Sequence, residues 1–100
     1  MIRHIALFRY NDDATAEQRQ TVVDALRTLS GVVPSIRGYE VSTTLGLVPE
    51  GAQLCVVALF DDEQGWRDYI DHPEHRRVAD TLLAPIRSER VTIQHAYPVE

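Results

Sequence analysis

The chain has a single cysteine, Cys55, and it sits inside the apolar run LCVVALF. One thiol closes no disulfide framework within a chain, so the fold must rest on packing, with Cys55 expected to be buried and reduced. Long apolar runs are missing too. No stretch approaches the ~20 apolar residues that span a bilayer, and MIRHIALFRYND lacks both the apolar core and the small-residue cleavage site of a secretory signal. The expectation is a cytoplasmic protein without a membrane partner. Positive charge is in short supply: ten basic residues face fifteen acidic ones, for a formal charge of −5. That balance removes the cationic surface a phosphate backbone requires, so nucleic acid is not an expected partner. With no linker, low-complexity tract or strong internal repeat, the 100 residues are read as one domain.

What is present suits a small globular fold. Hydrophobic residues make up 44% and charged residues 25%, close to the average for soluble domains. IRHIALFRY (2–10) is rich in strand formers and reads as strand 1. Its alternation puts His4, Phe8 and Tyr10 on one face and Ile5 and Leu7 on the other. The mixed aromatic and polar face is expected to line a cavity, and Ile5 and Leu7 to pack under helices. Thr15 with Gln18 three residues later forms a capping box ahead of Val22, Val23, Leu26 and Leu29 at helical spacing, giving a helix over about 16–30. Gly31 is the candidate C-cap, and Pro34 stops the helix from resuming.

Strand 2 falls within RGYEVSTTL and strand 3 within AQLCVVALF, with GLVPEG as the turn between them. Asp61 and Asp62 suit the start of a second helical region. EQGWRDYI is too short for a stable helix of its own before His72, which precedes Pro73 and is pushed out of the α region. Pro73 then restarts a helix whose stripe is Val78, Ala79, Leu82, Leu83 and Ile86. ERVTIQHAYPV alternates Val91, Ile93, His95 and Tyr97 with polar neighbours, as an antiparallel strand does. The order is β-α-β-β-α-β, an α+β ferredoxin-like fold with two helices on one face of a four-stranded antiparallel sheet.

Two helices cover one face only, yet strand 3 has no polar break from Leu54 to Phe60. Each Å² of apolar area buried contributes about 25 cal/mol, so the second face calls for a cover. A second copy of the same sheet is the simplest one. Two such sheets make an eight-stranded barrel-like homodimer whose interior is either filled or holds one small ligand.

HIALFRYNDDATAEQ, SGVVPSIRGYEV and FDDEQGWRDYIDHPEHRRVAD, in that order, together resemble the stress-responsive dimeric α/β-barrel family, often called Dabb. The most specific element is aromatic-x-x-His-Pro-x-His: Tyr69, His72, Pro73 and His75. The resemblance implies a cofactor-independent reaction like that of the family's polyketide cyclases, an intramolecular aldol condensation. It places Tyr69 and His75 on the catalytic tyrosine and histidine and His4 near the active site. Leu54 departs from the cyclase pattern, which has a further histidine there, so pocket polarity differs.

The residues themselves allow this chemistry. A neutral imidazole at His75 facing a dry cavity can take a proton from a carbon next to a carbonyl, and the Tyr69 hydroxyl can donate to the developing enolate oxygen. The structural alternatives are a histidine that bonds a helix start and a half-buried tyrosine at a helix end. His72 is best explained as a cap. The His72/His75 H-x-x-H pair lacks the third ligand that catalytic zinc needs, so neither metal nor cofactor is expected. The expected partners are a second copy of the chain and a small hydrophobic, aromatic or polyketide-like molecule, with His4, Phe8 and Tyr10 as the substrate-binding wall. Competing readings are a noncatalytic stress-associated or metabolite-binding dimer and a cofactor-free monooxygenase-like relative.

Overall fold

The computed structural model describes residues 1–99. Strand β1 (Ile2–Tyr10) is central, hydrogen-bonded antiparallel to β3 (Leu54–Phe60) on one side and to β4 (Arg87–Ala96) on the other. Strand β2 (Gly38–Thr43) closes the sheet beyond β3, giving the order β2-β3-β1-β4. Helix α1 (Ala16–Thr28) lies between β1 and β2, and α2 (Glu63–Asp71) and α3 (Pro73–Arg77) between β3 and β4. This is the expected ferredoxin-like arrangement.

The caps are local and read directly from side-chain chemistry. The Thr15 hydroxyl accepts from the Gln18 amide at 3.1 Å while the Gln18 side chain accepts from the Thr15 amide at 2.9 Å, completing the capping box. Beyond Thr28 the chain tightens into a 3₁₀ turn, Leu29–Gly31. Gly31 is therefore not a left-handed cap. Among the described residues Gly46 alone has positive φ, at 76°, within the β2–β3 turn, where the absence of Cβ removes the penalty.

The segment EQGWRDYI is a helix after all, extended by Asp71. Asp62 caps it by accepting from the Gly65 amide at 2.9 Å, and Arg67 pairs with Glu63 one turn away. Packing of Tyr69 then supplies what so short a helix lacks on its own. The break follows where expected: His72 is extended (φ −62°, ψ 134°), and its Nδ1 accepts from the Glu74 amide at 3.1 Å to cap α3. After α3 the backbone widens into π-helical turns over Val78–Leu83, with the Ala84 amide bonded to the Ala79 carbonyl five residues back.

The core lies between the sheet and the helices. His4, Ala6, Phe8 and Tyr10 of β1 and Leu54, Val56, Ala58 and Phe60 of β3 point into it, beneath Val22, Leu26, Leu29 and Val78. This reverses the expected assignment of faces. Ile5 and Leu7 are only half-buried and lie on the open face, whereas the mixed face of His4, Phe8 and Tyr10 packs under the helices. Pattern alone picked the more apolar side, but α2 carries Trp66 and Tyr69, whose polar tips need polar neighbours below them. Cys55 is half-buried on the open face, beside Val57 and Leu59, and burial raises its thiol pKa.

Thr15→Ala removes one half of the capping box and leaves the core untouched. It is expected to cost about 1 kcal/mol, seen as a lower urea midpoint with an unchanged m-value.

Candidate functional site

A pocket of about 250 Å³ opens between the sheet and the helical layer, within one protomer. The expected cavity between two sheets is thus not where these side chains meet. The floor is His4, Ala6 and Phe8 from β1 and Val56 from β3, and the roof is Trp66, Tyr69 and Ile70 from α2 with His75 from α3. The π-helical turns supply Ala79, Asp80 and Leu83, small or short groups that keep the far wall open. One edge is β4, through Arg87, Arg90, Thr92 and Gln94.

Tyr69 and His75 are brought together across the His72–Pro73 break, with ring centroids 4.4 Å apart. The break turns the chain so that the end of α2 and the start of α3 face the same hollow. Tyr69 is buried against Phe60 and His4, with centroids at 5.3 and 6.0 Å. Its hydroxyl meets that of Tyr39, on β2, at 2.9 Å. Burial pushes the Tyr69 pKa up to about 12, while the bond to Tyr39 lowers it. Tyr39 is raised further still, by burial and then by Tyr69. Either hydroxyl can donate in this bond; with Tyr39 as donor, Tyr69 retains a proton for another acceptor.

His4 is buried on the floor. Trp66 Nε1 donates to its Nδ1 at 3.3 Å, and the Gln94 side-chain amide meets the same nitrogen at 2.8 Å. An indole is only a donor, so Nδ1 accepts and the His4 proton resides on Nε2. Burial first, then the charges of His75 and Arg90, lower its pKa to about 4. His75 is lowered as well, chiefly by burial, with the Ile70 backbone and Asp80 opposing. The Ile70 backbone lies close enough to the ring to favour its protonated form, yet no group meets the buried Nδ1 with full hydrogen-bond geometry.

Of the substrate-wall residues, His4 and Phe8 line the pocket, while Tyr10 lies further along β1 under the Arg19 guanidinium, 4.6 Å from its ring centroid. His95 is on the open face, accepting from Arg3 Nε at 3.0 Å. Its strand alternation sends it away from Gln94. Residues that sequence reasoning missed are Trp66, Tyr39, Gln94 and the β4 arginines. The signal available for Trp66 was its spacing of three from Tyr69, one helical turn along the same face. For Tyr39 nothing local pointed to the site. Leu54 is fully buried in the core. Among the described residues no group of three His, Cys, Asp or Glu side chains is placed to hold a metal.

Fold and pocket together define an α+β ferredoxin-like domain with a histidine- and tyrosine-lined hollow between sheet and helices. The model of the Stress responsive A/B Barrel Domain, Dabb, matches residues 2–95, and the chain belongs to that family. A crystal structure from Thermobifida fusca, described as a dimeric ferredoxin-like protein of unknown function, is 42% identical with a TM-score of 0.87, covering 95% of this chain and 89% of that one. A Streptomyces coelicolor protein without a characterised role is 28% identical over 78 residues, 76% of this chain and 80% of its own. The hydroxynitrile lyase of Passiflora edulis shares the fold at 18% identity, with a TM-score of 0.81 over 94% of this chain and 90% of its own.

His4 ties the pocket to stability. Its folded pKa of about 4 lies below the ordinary 6.5, so between those values the unfolded chain takes up a proton that the folded one refuses. Stability is expected to be full above pH 6.5 and to fall as pH drops toward 4, with His4 contributing on the order of 3 kcal/mol. Urea titrations between pH 6.5 and about 5, where carboxylates bind few protons, should show this slope, and His4→Gln should reduce it to the share left by His75.

Proposed function

We propose that this protein is a homodimeric, cofactor-independent acid–base enzyme on a small hydrophobic or aromatic, polyketide-like molecule, with cyclase- or lyase-type chemistry. His75 is the base and Tyr69 the hydrogen-bond donor. The observation that carries the reading is His75, lowered in pKa by burial and packed against Tyr69 at the pocket, with ring centroids 4.4 Å apart.

The chemistry follows from the two depressed and raised pKa values. His75 stays unprotonated at neutral pH and can remove a proton from carbon next to a carbonyl held in the pocket. Tyr69, with a pKa of about 12, keeps its proton and offers it to the oxygen that gains charge as the enolate forms. In this reading Tyr39 donates to Tyr69 and so positions that donor. The surrounding Phe8, Leu26, Val56 and Leu83 lower the local polarity, which strengthens the donor's effect. Phe8 and His4 form the substrate floor, and Tyr10, further along the strand, is outside it.

The dimer rests on the open sheet face. Ile5 and Leu7 of β1, Val57 and Leu59 of β3, and Val91 and Ile93 of β4 form one apolar surface, with Val91 64% and Ile93 55% exposed in the protomer. A second copy of that surface is the natural cover, and the 42% identical Thermobifida fusca protein is described as dimeric.

Native mass spectrometry of the purified protein against polyketide-like and aromatic carbonyl compounds is expected to return a dimer with bound ligand. On a ligand that turns over, His75→Ala should lower kcat by roughly 10²–10⁴ with the dimer and thermal midpoint retained. Tyr69→Phe should lose roughly 10²–10³. A His75→Ala protein with full turnover ends the base assignment, and one that unfolds makes the histidine structural. Ile93→Glu puts two like charges into the paired face and should shift gel filtration to the 11.3 kDa monomer; a wild-type protein that already elutes there removes the dimer.

A further inference from the structure

All ten basic residues of the chain are arginines. Eight have a hydrogen-bond or ion-pair acceptor: Arg37, Arg67, Arg76 and Arg77 meet carboxylates, Arg9, Arg19 and Arg27 meet backbone carbonyls, and Arg3 meets His95. Among the described residues only Arg87 and Arg90 have none, and both line the pocket.

Their shared position requires a departure from regular strand geometry. Side chains alternate along a strand, so residues three apart belong on opposite faces. Arg90 lies across from Phe8, on the helix-facing side, and Arg87 should point to the open face with Glu89. The register of β1 against β4 shifts between Arg9 and Tyr10: Arg9 pairs with Glu89, but Tyr10 pairs with Arg87, and Ser88 is skipped. This bulge turns Arg87 onto the pocket side beside Tyr10. The Ser88 hydroxyl, donating to the Tyr10 carbonyl at 3.3 Å, holds the extra residue in place. Bulges commonly re-aim a side chain at a binding site.

We propose that Arg87 and Arg90 form an anion subsite at the β4 edge of the pocket, so that its ligand is a small organic acid whose carboxylate they bind and whose apolar body lies toward Trp66, Tyr69 and Phe8. The proposal deepens the function above and rests on the same pocket. In a chain of net charge −5, two unpaired guanidinium groups bordering an apolar hollow supply the local attraction that the overall charge denies an anion. Asp80, from the π-helical turns, is the one carboxylate lining the pocket, and neither arginine is paired with it. Arg90 is near enough to His4 to disfavour its protonation; a bound carboxylate offsets that charge.

The test compares 2-naphthoate with 2-naphthamide, which differ in charge but little in shape, by calorimetry and by the fluorescence of Trp66, the only tryptophan. The acid is expected to bind roughly tenfold or more tightly than the amide. That ratio should fall toward one in Arg87→Gln/Arg90→Gln and recover in part in Arg87→Lys/Arg90→Lys. Equal binding of both probes to the wild-type protein overturns the anion subsite and leaves the pocket reading intact. A ratio that survives the double glutamine variant overturns the assignment to these arginines. Binding of neither probe overturns the pocket as a ligand site for molecules of this size, and the subsite with it.

Discussion

The alternation of β1 is the constraint on which the other features depend. As the central strand, hydrogen-bonded on both edges, it cannot slip by one residue without exchanging its whole core set for its open-face set. With His4, Ala6, Phe8 and Tyr10 inward, the pocket floor carries one neutral, hydrogen-bonded imidazole among apolar groups. With Arg3, Ile5, Leu7 and Arg9 outward, the opposite face is left apolar at its middle and charged at its ends. Pocket and open sheet face are therefore two sides of one strand, and a substitution on β1 acts on only one of them.

The broken second helical region does for the roof what β1 does for the floor. A continuous helix would separate Tyr69 and His75 by six residues, well over one and a half turns, and point them in different directions. His72 in the extended conformation, followed by Pro73, folds the second piece back so that the two rings touch. The widened turns after Arg77 then offset the wall beyond His75 and place Ala79 and Leu83 along the hollow. Neither distortion is costly overall, because His72 caps the helix it begins and the buried Val78 and Leu83 anchor the wider turns.

Electrostatically the pocket separates its roles through burial. His4 and His75 are both kept neutral, but His4 has its Nδ1 occupied by two donors, whereas His75 has a nitrogen left unsatisfied. Tyr69 is kept protonated, and its hydroxyl is hydrogen-bonded to that of Tyr39 outside the pocket lining. The two histidines of one hollow thus hold different hydrogen-bonding states. The surface charge pairs, Arg37 with Asp61 and Arg67 with Glu63 among them, are exposed and contribute little to either stability or site.

The amino-acid sequence determined the element order, the capping box at Thr15 and the break at His72–Pro73, because caps, prolines and strand alternation act over a few residues; the candidacy of His4, Tyr69 and His75 came with the family resemblance. It misassigned the two faces of β1 and the helical capacity of residues 63–70, since both depend on what packs above them: Trp66 and Tyr69 over His4, and Asp62 at the helix start. Only the tertiary structure decided that the hollow lies between sheet and helices, that Tyr39 completes Tyr69, that His95 faces away, and that Arg87 joins Arg90. Each of these rests on register or contact between segments distant in the chain. A bulge of one residue opposite Tyr10 leaves no trace in hydrophobic pattern, yet it changes which side of the sheet a charge is on.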